Sequence, residues 1–129
     1  MQEERWLIEG HVRYTGFQGA TNIEELLEID RRMVATLEAS PHLIHFVIDV
    51  RGLAAPLGLD QGLKIRHLRH EKTGWIVLIG GSQNSVVRFV ISATFKIFGS
   101  KYKDCASPEA ALDFLKQMEP DLTNLPTQA

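Results

Sequence analysis

The sequence predicts an α/β sandwich in which helices pack on a mixed five-stranded sheet. Residues 43–50 form a continuous apolar, β-branched run, which is typical of a strand buried on both faces. Further apolar runs alternate along the chain with segments whose apolar residues recur at helical spacing, after an initial pair of short strands. These observations predict about four α-helices and the order ββαβαβαβα.

The strands are predicted from apolar runs and the residues that interrupt them. Residues 6–9 and 11–17 are separated by Gly10, and apolar and polar side chains alternate along the second segment. We expect these two segments to pair as a hairpin. Residues 75–79 form another buried strand, and residues 102–106 form a last short one.

The helices are predicted from apolar spacing and from residues that begin and end helices. Thr21 and Asn22 are both suitable N-caps for the first helix, as are Asp60 and Ser107 for later ones, and Pro108 favours the first helical position after Ser107. The helix that begins at Asp60 has few apolar positions, so we expect it at the surface. The predicted helices cover residues 21–37, 60–70, 84–98 and 108–118.

Length and composition predict one domain over residues 1–120, followed by a flexible polar tail over residues 121–129. The formal charge of -2 argues against a nucleic-acid partner, because a phosphate backbone selects basic surfaces. The single cysteine, Cys105, excludes an internal disulfide and suits a reducing compartment. No signal peptide or membrane span is visible in the chain, so we expect a cytoplasmic protein.

Three local motifs lie along the chain: a strand and turn, Phe-Val-Ile-Asp-Val-Arg-Gly-Leu at 46–53, a strand and glycine pair, Trp-Ile-Val-Leu-Ile-Gly-Gly-Ser at 75–82, and a closing helix, Ala-Ser-Pro-Glu-Ala-Ala-Leu-Asp-Phe-Leu at 106–115. They resemble the STAS family, and within it the SpoIIAA-like branch, which is sometimes grouped with SEC14-type lipid-binding domains. With the initial hairpin they cover nearly the whole chain. The resemblance implies a STAS/SpoIIAA-like sandwich.

The resemblance also implies a regulatory role with one part missing. STAS anti-sigma-factor antagonists carry a phosphorylated serine in the loop after the strand that corresponds to residues 43–50. Here that loop, residues 54–60, has no hydroxyl side chain, and no Ser or Thr lies between Arg51 and Lys72. Phosphorylation of the kind that occurs on this serine needs a hydroxyl side chain. We therefore expect a non-catalytic protein-interaction module that lacks the phospho-switch, with a regulatory kinase or a sigma-factor regulator as the kind of partner.

The partner-binding surface is predicted at the end of the central strand and in the helix that follows it. Arg66 belongs to a basic segment, residues 64–72, whose simplest interpretation is a solvated face and whose functional one is docking of an acidic partner helix or an anionic headgroup. The predicted partner-binding residues are Asp49, Arg51, Gly58, Asp60 and Arg66.

An alternative function is binding of a small apolar or anionic ligand, such as a lipid. The glycine pair after residue 79 lies between a buried strand and a helix, where backbone N–H groups hold anions, although ordinary turn geometry also explains it. No dinucleotide or P-loop signature is present. The predicted ligand-binding residues are Gly80, Gly81, Ser82, Asn84 and Arg88.

The predicted helix over residues 84–98 is apolar around most of its circumference, which exceeds the arc of about 100° that an ordinary surface helix buries. Packing between the sheet and neighbouring helices explains the surplus, and so does a homodimer interface, a lipid-like ligand or peripheral contact with a membrane. We expect a homodimer. The surface residues assigned to it are Val87, Ile91, Phe95 and Phe98.

The sequence indicates neither an enzyme nor a bound cofactor. Cys105 has no partner that marks a nucleophile, and Ser82 lacks the GxSxG elbow of a hydrolase. His67 and His70 are three residues apart, but no further ligand completes a zinc set. We therefore predict no catalytic residue and no metal site.

Overall fold

A computed structural model describes residues 2–19, 22–53, 64–80 and 101–127, together with Ala93, Lys96 and Gly99. This part of the chain is of the α/β class, as predicted. Two short 3-10 helices, His67–Arg69 and Pro120–Asn124, accompany the regular elements. The elements are β1 Gln2–Ile8, β2 Val12–Gly19, α1 Ile23–Ala39, β3 Ile44–Leu53, β4 Thr73–Ile79, β5 Tyr102–Cys105 and α2 Pro108–Met118.

The five strands form one mixed sheet in the order β1-β2-β3-β4-β5. β1 pairs with β2 antiparallel, and Gly10 in the connecting turn has a φ of 74°, a conformation that favours glycine. The remaining neighbours are parallel, so a crossover is needed between each pair, and α1 supplies the one between β2 and β3. β3 therefore occupies the centre of the sheet, as its apolar run predicts.

Within the described residues, one helix packs on each face of the sheet, because successive side chains of a strand point to opposite sides. We call the side of the sheet that packs on α1 the α1 face, and the side that packs on α2 the α2 face. β3 contributes residues such as Phe46 and Ile48 to the α1 face, and Val47 and Asp49 to the α2 face. Both cores are apolar. The α1-face core includes Leu26, Ile29, Met33, Leu37, Phe46, Ile76 and Leu78, and the α2-face core includes Leu7, Val12, Val47, Val77, Ala111, Leu115 and Leu122.

The two helices begin at the caps that the sequence predicts. The Asn22 side chain accepts a hydrogen bond from the Glu25 backbone N–H at 2.8 Å, which satisfies one of the free donors in the first turn of α1. Ser107 does the same for the Ala110 N–H at 3.1 Å at the start of α2. The stretch assigned to a flexible tail begins with the second 3-10 helix, in which Leu122 is only 3 % exposed.

The predicted helix over residues 60–70 is wrong for residues 64–70, which form a turn and a single 3-10 helix. The buried anchors of this segment, Ile65 and Leu68, are three residues apart, which suits a 3-10 turn. The carboxylate of Asp30, from α1, also accepts hydrogen bonds from the N–H groups of Arg66 and His67. A tertiary contact therefore replaces the hydrogen bonds of a helix.

The other predicted helix, over residues 84–98, lies outside the described residues, except that Ala93 and Lys96 are helical. Asp60 and the start of the helix assigned to it are outside as well. Two α-helices are described, so the predicted number of about four and the complete order ββαβαβαβα are not confirmed. None of the described helices is long and apolar enough to cross a bilayer.

His45 is a buried imidazole at the amino-terminal end of β3, 4 % exposed. Its Nδ1 accepts a hydrogen bond from the Trp75 backbone N–H at 2.9 Å, and its ring lies so close to Gly74 that a Cβ there would be 2.4 Å from Nδ1. Burial, followed by the charges of His11, His42 and Lys101, lowers the pKa of His45 to about 4. At neutral pH the ring is uncharged, as an acceptor Nδ1 requires.

The lowered pKa of His45 predicts that the folded protein loses stability as the pH falls from about 6.5 towards 4, before most carboxylates titrate. An unfolded histidine gains its proton near pH 6.5 and the folded one only near pH 4, so the free energy of unfolding falls between these values. The full effect is about 3 kcal/mol. We expect urea denaturation from pH 7 to pH 4.5 to show this slope in the natural protein and a much flatter one in His45→Asn. The control variant His70→Asn should keep the slope, and a His45→Asn profile parallel to the natural one would contradict the prediction.

Candidate functional site

The polar residues at the carboxyl end of β3 form a connected group with one residue of β2. Asp49 and Arg51 are two apart on β3 and point to the α2 face, and Tyr14 of β2 reaches Asp49 from the side. The register places Gly16 opposite Asp49. A Cβ on Gly16 would lie 2.8 Å from the Tyr14 hydroxyl, so this glycine leaves the space in which the phenol lies. We call Tyr14, Asp49 and Arg51 the Arg51 clamp.

Both carboxylate oxygens of Asp49 are engaged in the Arg51 clamp. Tyr14 donates its hydroxyl proton to Oδ2 at 2.8 Å. Arg51 donates from Nη2 to Oδ2 at 2.7 Å and from Nε to Oδ1 at 3.0 Å, and its backbone N–H also reaches Oδ1 at 3.0 Å. Two parallel bonds from one guanidinium are the geometry in which arginine binds a carboxylate most strongly. The carboxylate therefore fixes both the backbone and the side chain of Arg51.

The clamp holds each member in one ionisation state at neutral pH. Burial acts to raise the pKa of Asp49, but the hydrogen bonds from Arg51 and Tyr14 outweigh it, so the pKa of that carboxyl lies below its usual value. Burial and the hydrogen bond to Asp49 raise the pKa of Tyr14 to about 12. The bond to Asp49 raises the pKa of Arg51. No member of the clamp is poised to exchange a proton near pH 7.

Arg51 is the member that solvent reaches, because 42 % of its side chain is exposed while only 9 % of the Asp49 side chain is. Its aliphatic part crosses Gly80, the residue that follows β4. A Cβ on Gly80 would lie 2.5 Å from Cγ of Arg51, and Gly80 has a φ of 85°, so both space and backbone conformation favour glycine there. Asp49, Arg51 and Gly80 thus lie on one rim, at the carboxyl ends of β3 and β4.

The rim is not the ligand crevice of a doubly wound sheet. Such crevices form where the strand order reverses, and here the strands follow one another across the sheet in chain order. The remaining predicted ligand residues, Gly81, Ser82, Asn84 and Arg88, lie outside the described residues, as does the predicted dimer surface of Val87, Ile91, Phe95 and Phe98.

Arg66 does not join the clamp. It lies in the segment that packs against α1, and its backbone N–H donates to Asp30 at 2.8 Å. Asp49 and Arg51 point to the α2 face, so the sheet separates them from Arg66. Gly58 and Asp60 are outside the described residues. The predicted partner-binding set therefore splits between two faces of the protein.

No group of three or more metal-ligating side chains is arranged around a common point within the described ranges. His67 instead places its ring Nδ1 2.7 Å from Asp30, and both residues are buried. Cys105 is half-buried, and burial raises the pKa of its thiol, which is the opposite of what a nucleophile needs.

Sequence analysis missed Tyr14 and Asp30, the two residues that organise these sites. Each has a polar side chain at a position that the strand or helix turns towards the core. A buried polar group needs a partner, which is the signal that marks such a position. The partner itself is 35 residues away for Tyr14 and 37 for Asp30, and this separation hides it in the sequence.

Asp49→Asn tests whether the carboxylate holds the clamp together. The substitution keeps the shape and removes the charge, so we expect the free energy of unfolding at pH 7 to fall by about 2 kcal/mol, the scale of hydrogen bonds to a charged group. Tyr14→Phe removes one bond and leaves the ion pair, so its loss should be about 1 kcal/mol. Urea denaturation measures both values.

The pH dependence supplies the control for this experiment. The pKa of Asp49 is lowered in the folded state, so its stabilisation is complete above the ordinary pKa of 3.8 and disappears as pH falls through the folded-state value. The difference between the natural protein and Asp49→Asn should therefore shrink below about pH 3.8. Equal stability at pH 7, or a larger loss in Tyr14→Phe than in Asp49→Asn, would contradict the assigned role.

Comparison with known proteins adds no family to these observations. No protein-family model matches the chain, and neither a curated protein nor a solved structure matches it significantly. The resemblance to the STAS family therefore stays a prediction from the three motifs, and the function has to be argued from the geometry of the site.

Proposed function

We propose that the protein is a non-catalytic, STAS-like interaction module that binds a protein partner at the carboxyl end of β3. Arg51 is the contact residue in this proposal, and it binds an anionic group of the partner. The single observation that carries the proposal is the guanidinium of Arg51, which is held by two hydrogen bonds to a buried carboxylate and is 42 % exposed.

A guanidinium that is already held in place is suited to recognition, because binding then costs little additional side-chain entropy. Immobilising a flexible side chain at an interface costs about 0.5–1.5 kcal/mol, and here Asp49 and Gly80 already restrict Arg51. The planar fork of arginine matches the oxygens of a carboxylate or phosphate, and arginine is enriched among the residues that dominate binding energy. Tyr14 and Asp49 act as positioning residues behind the contact.

The same geometry argues against catalysis at this site. A general acid or base works best with a pKa near the pH at which it operates. The pKa of Asp49 is lowered and that of Tyr14 is raised to about 12, so each is displaced away from neutrality. We infer a clamp that presents a charge, and no proton transfer is assigned to it.

The kind of partner follows from the resemblance and from the loop composition. A STAS-like module implies a regulatory kinase or a sigma-factor regulator as partner. The segment from Arg51 to Lys72 has no hydroxyl side chain, so we propose no control by phosphorylation of a hydroxyl in that segment. The residues predicted for the homodimer and for lipid binding lie within 80–98, of which the structure describes only Gly80, Ala93 and Lys96.

Replacing Arg51 tests the proposed contact. A partner is first identified by quantitative affinity purification, then expressed and titrated by calorimetry. We expect Arg51→Gln to weaken its binding about tenfold or more, because a charged contact is lost, and Arg51→Lys to weaken it less. Lys103→Gln is the matched control, since it removes an exposed positive charge from β5 on the same face, and should leave the affinity unchanged.

Two results would overturn the proposal. One is a purified partner that binds Arg51→Gln and the natural protein equally well while the variant keeps its fold. The other comes from native mass spectrometry, which also reports oligomeric state as multiples of the 14.5 kDa chain. A reproducible surplus mass that denaturation releases would favour the small-molecule or lipid-binding alternative.

A further inference from the structure

A groove runs along the outer side of α1, on the face of the sheet opposite the Arg51 clamp. The segment that precedes the first 3-10 helix forms its second wall. The groove has a volume of about 260 Å³ and is open to solvent along one side. We call it the α1 groove, and its lining residues are Leu27, Asp30, Arg31, Val34, Lys64 and Arg66.

The charge that the α1 groove presents to solvent is positive. Its one carboxylate, Asp30, is buried and accepts hydrogen bonds from two backbone N–H groups and the His67 ring. Arg31 pairs with Glu28 on the surface of α1. Among the described residues, no hydrogen bond or ion pair engages the side chain of Lys64 or Arg66. Both side chains are exposed, so an external anion can reach them.

The floor of the α1 groove is aliphatic. Leu27 and Val34 are seven residues apart, so they lie on one stripe of α1 with Arg31 between them. Leu27 is 38 % exposed, which makes it one of the few large apolar side chains of the described residues that contact solvent. An apolar stripe bordered by exposed positive charges favours an amphipathic binding partner.

Asp30 makes this groove rigid. Its Oδ1 accepts from the Arg66 N–H at 2.8 Å, the His67 N–H at 2.7 Å and the His67 ring Nδ1 at 2.7 Å. Ile65 and Leu68 are buried on either side of these bonds. The wall that carries Lys64 and Arg66 is thereby attached to α1, and Asp30 is a positioning residue for the groove.

We infer that the α1 groove is a second docking surface, which binds an acidic amphipathic helix of a partner protein. Aliphatic side chains of that helix pack on Leu27 and Val34, and its carboxylates pair with Lys64 and Arg66. Residues three or four apart on a helix lie side by side, so one face presents both kinds of side chain. The open shape and a volume below the roughly 300–1,000 Å³ of small-molecule pockets favour a helix over an enclosed ligand.

The α1 groove is independent of the site proposed for Arg51. The two lie on opposite faces of the sheet, so both partners can bind at once, or one partner can wrap around the edge. Substitutions in one site are not expected to change binding at the other, because distant sites without shared partners act additively. The failure of either proposal is thus separable from the failure of the other.

A panel of synthetic helical peptides tests the groove with the full-length, isotope-labelled protein. Each peptide carries Leu and Glu four residues apart on one face, and matched analogues replace Glu by Gln or Leu by Ser. We expect NMR shift changes at Leu27, Val34 and residues 64–66, tighter binding at low salt, and loss of binding with either analogue. The double variant Lys64→Gln/Arg66→Gln should weaken peptide binding about tenfold or more.

Matched variants separate the groove from general charge effects. Lys101→Gln/Lys103→Gln removes two exposed positive charges from the region of β5 and should leave peptide affinity unchanged, as should Arg51→Gln. Leu27→Ser should weaken binding with only a small loss of thermal stability, because Leu27 is 38 % exposed and serine is a slightly poorer helix former.

Three outcomes would overturn the inference. The first is that no peptide of the panel binds more tightly than about 1 mM, and the second is shift changes that map away from the α1 groove. The third is equal binding of the Glu and Gln peptides, which would exclude charge recognition. Binding to phosphatidylglycerol vesicles that depends on Lys64 and Arg66, without peptide binding, would assign the groove to a membrane surface instead.

Discussion

The alternation of side chains along β3 is the constraint on which the rest of the structure depends. β3 is central and pairs in parallel with a strand along each edge. Its two faces are covered by the cores that contain α1 and α2 residues. Phe46 belongs to the core under α1 and Val47 to the core under α2. The same period of two carries Asp49 and Arg51 to the α2 face at the end of the strand. A shift of the β3 register by one residue would move each of its side chains to the opposite face, and Asp49 and Arg51 would no longer meet Tyr14.

Two buried carboxylates have the same physical role on opposite faces of the sheet. Asp49 holds Arg51 through its side chain and backbone, and Asp30 holds the segment of Arg66 through two backbone N–H groups. In both places the charge of the carboxylate is satisfied inside the protein, while an adjacent cation faces solvent. The protein thus presents positive side chains on two surfaces, although its formal charge is -2. Local geometry, and not net charge, then determines what kind of partner binds.

The regular elements could be predicted because their signals are local. The caps Asn22 and Ser107, the helical spacing that follows them and the β-branched runs all lie within a few residues of the structure they produce. Residues 64–70 could not be predicted in this way. Their composition is compatible with a surface helix, but Asp30 binds their backbone N–H groups and the segment becomes a 3-10 turn. That carboxylate belongs to α1, so no pattern within residues 64–70 predicts the contact.

By itself, the sequence determined the class of fold, the order of the described strands and both described helices, because these follow from period and from capping residues. The first strand begins at Gln2, four residues before the segment 6–9 that predicts it. Only the tertiary structure decided that Tyr14 completes the clamp, that Arg66 lies on the opposite face, and that a cationic groove forms beside α1. These features join residues about 35 positions apart, and such contacts depend on how the layers pack. Contacts between residues so far apart in the chain produce no periodic pattern from which the sequence could predict them.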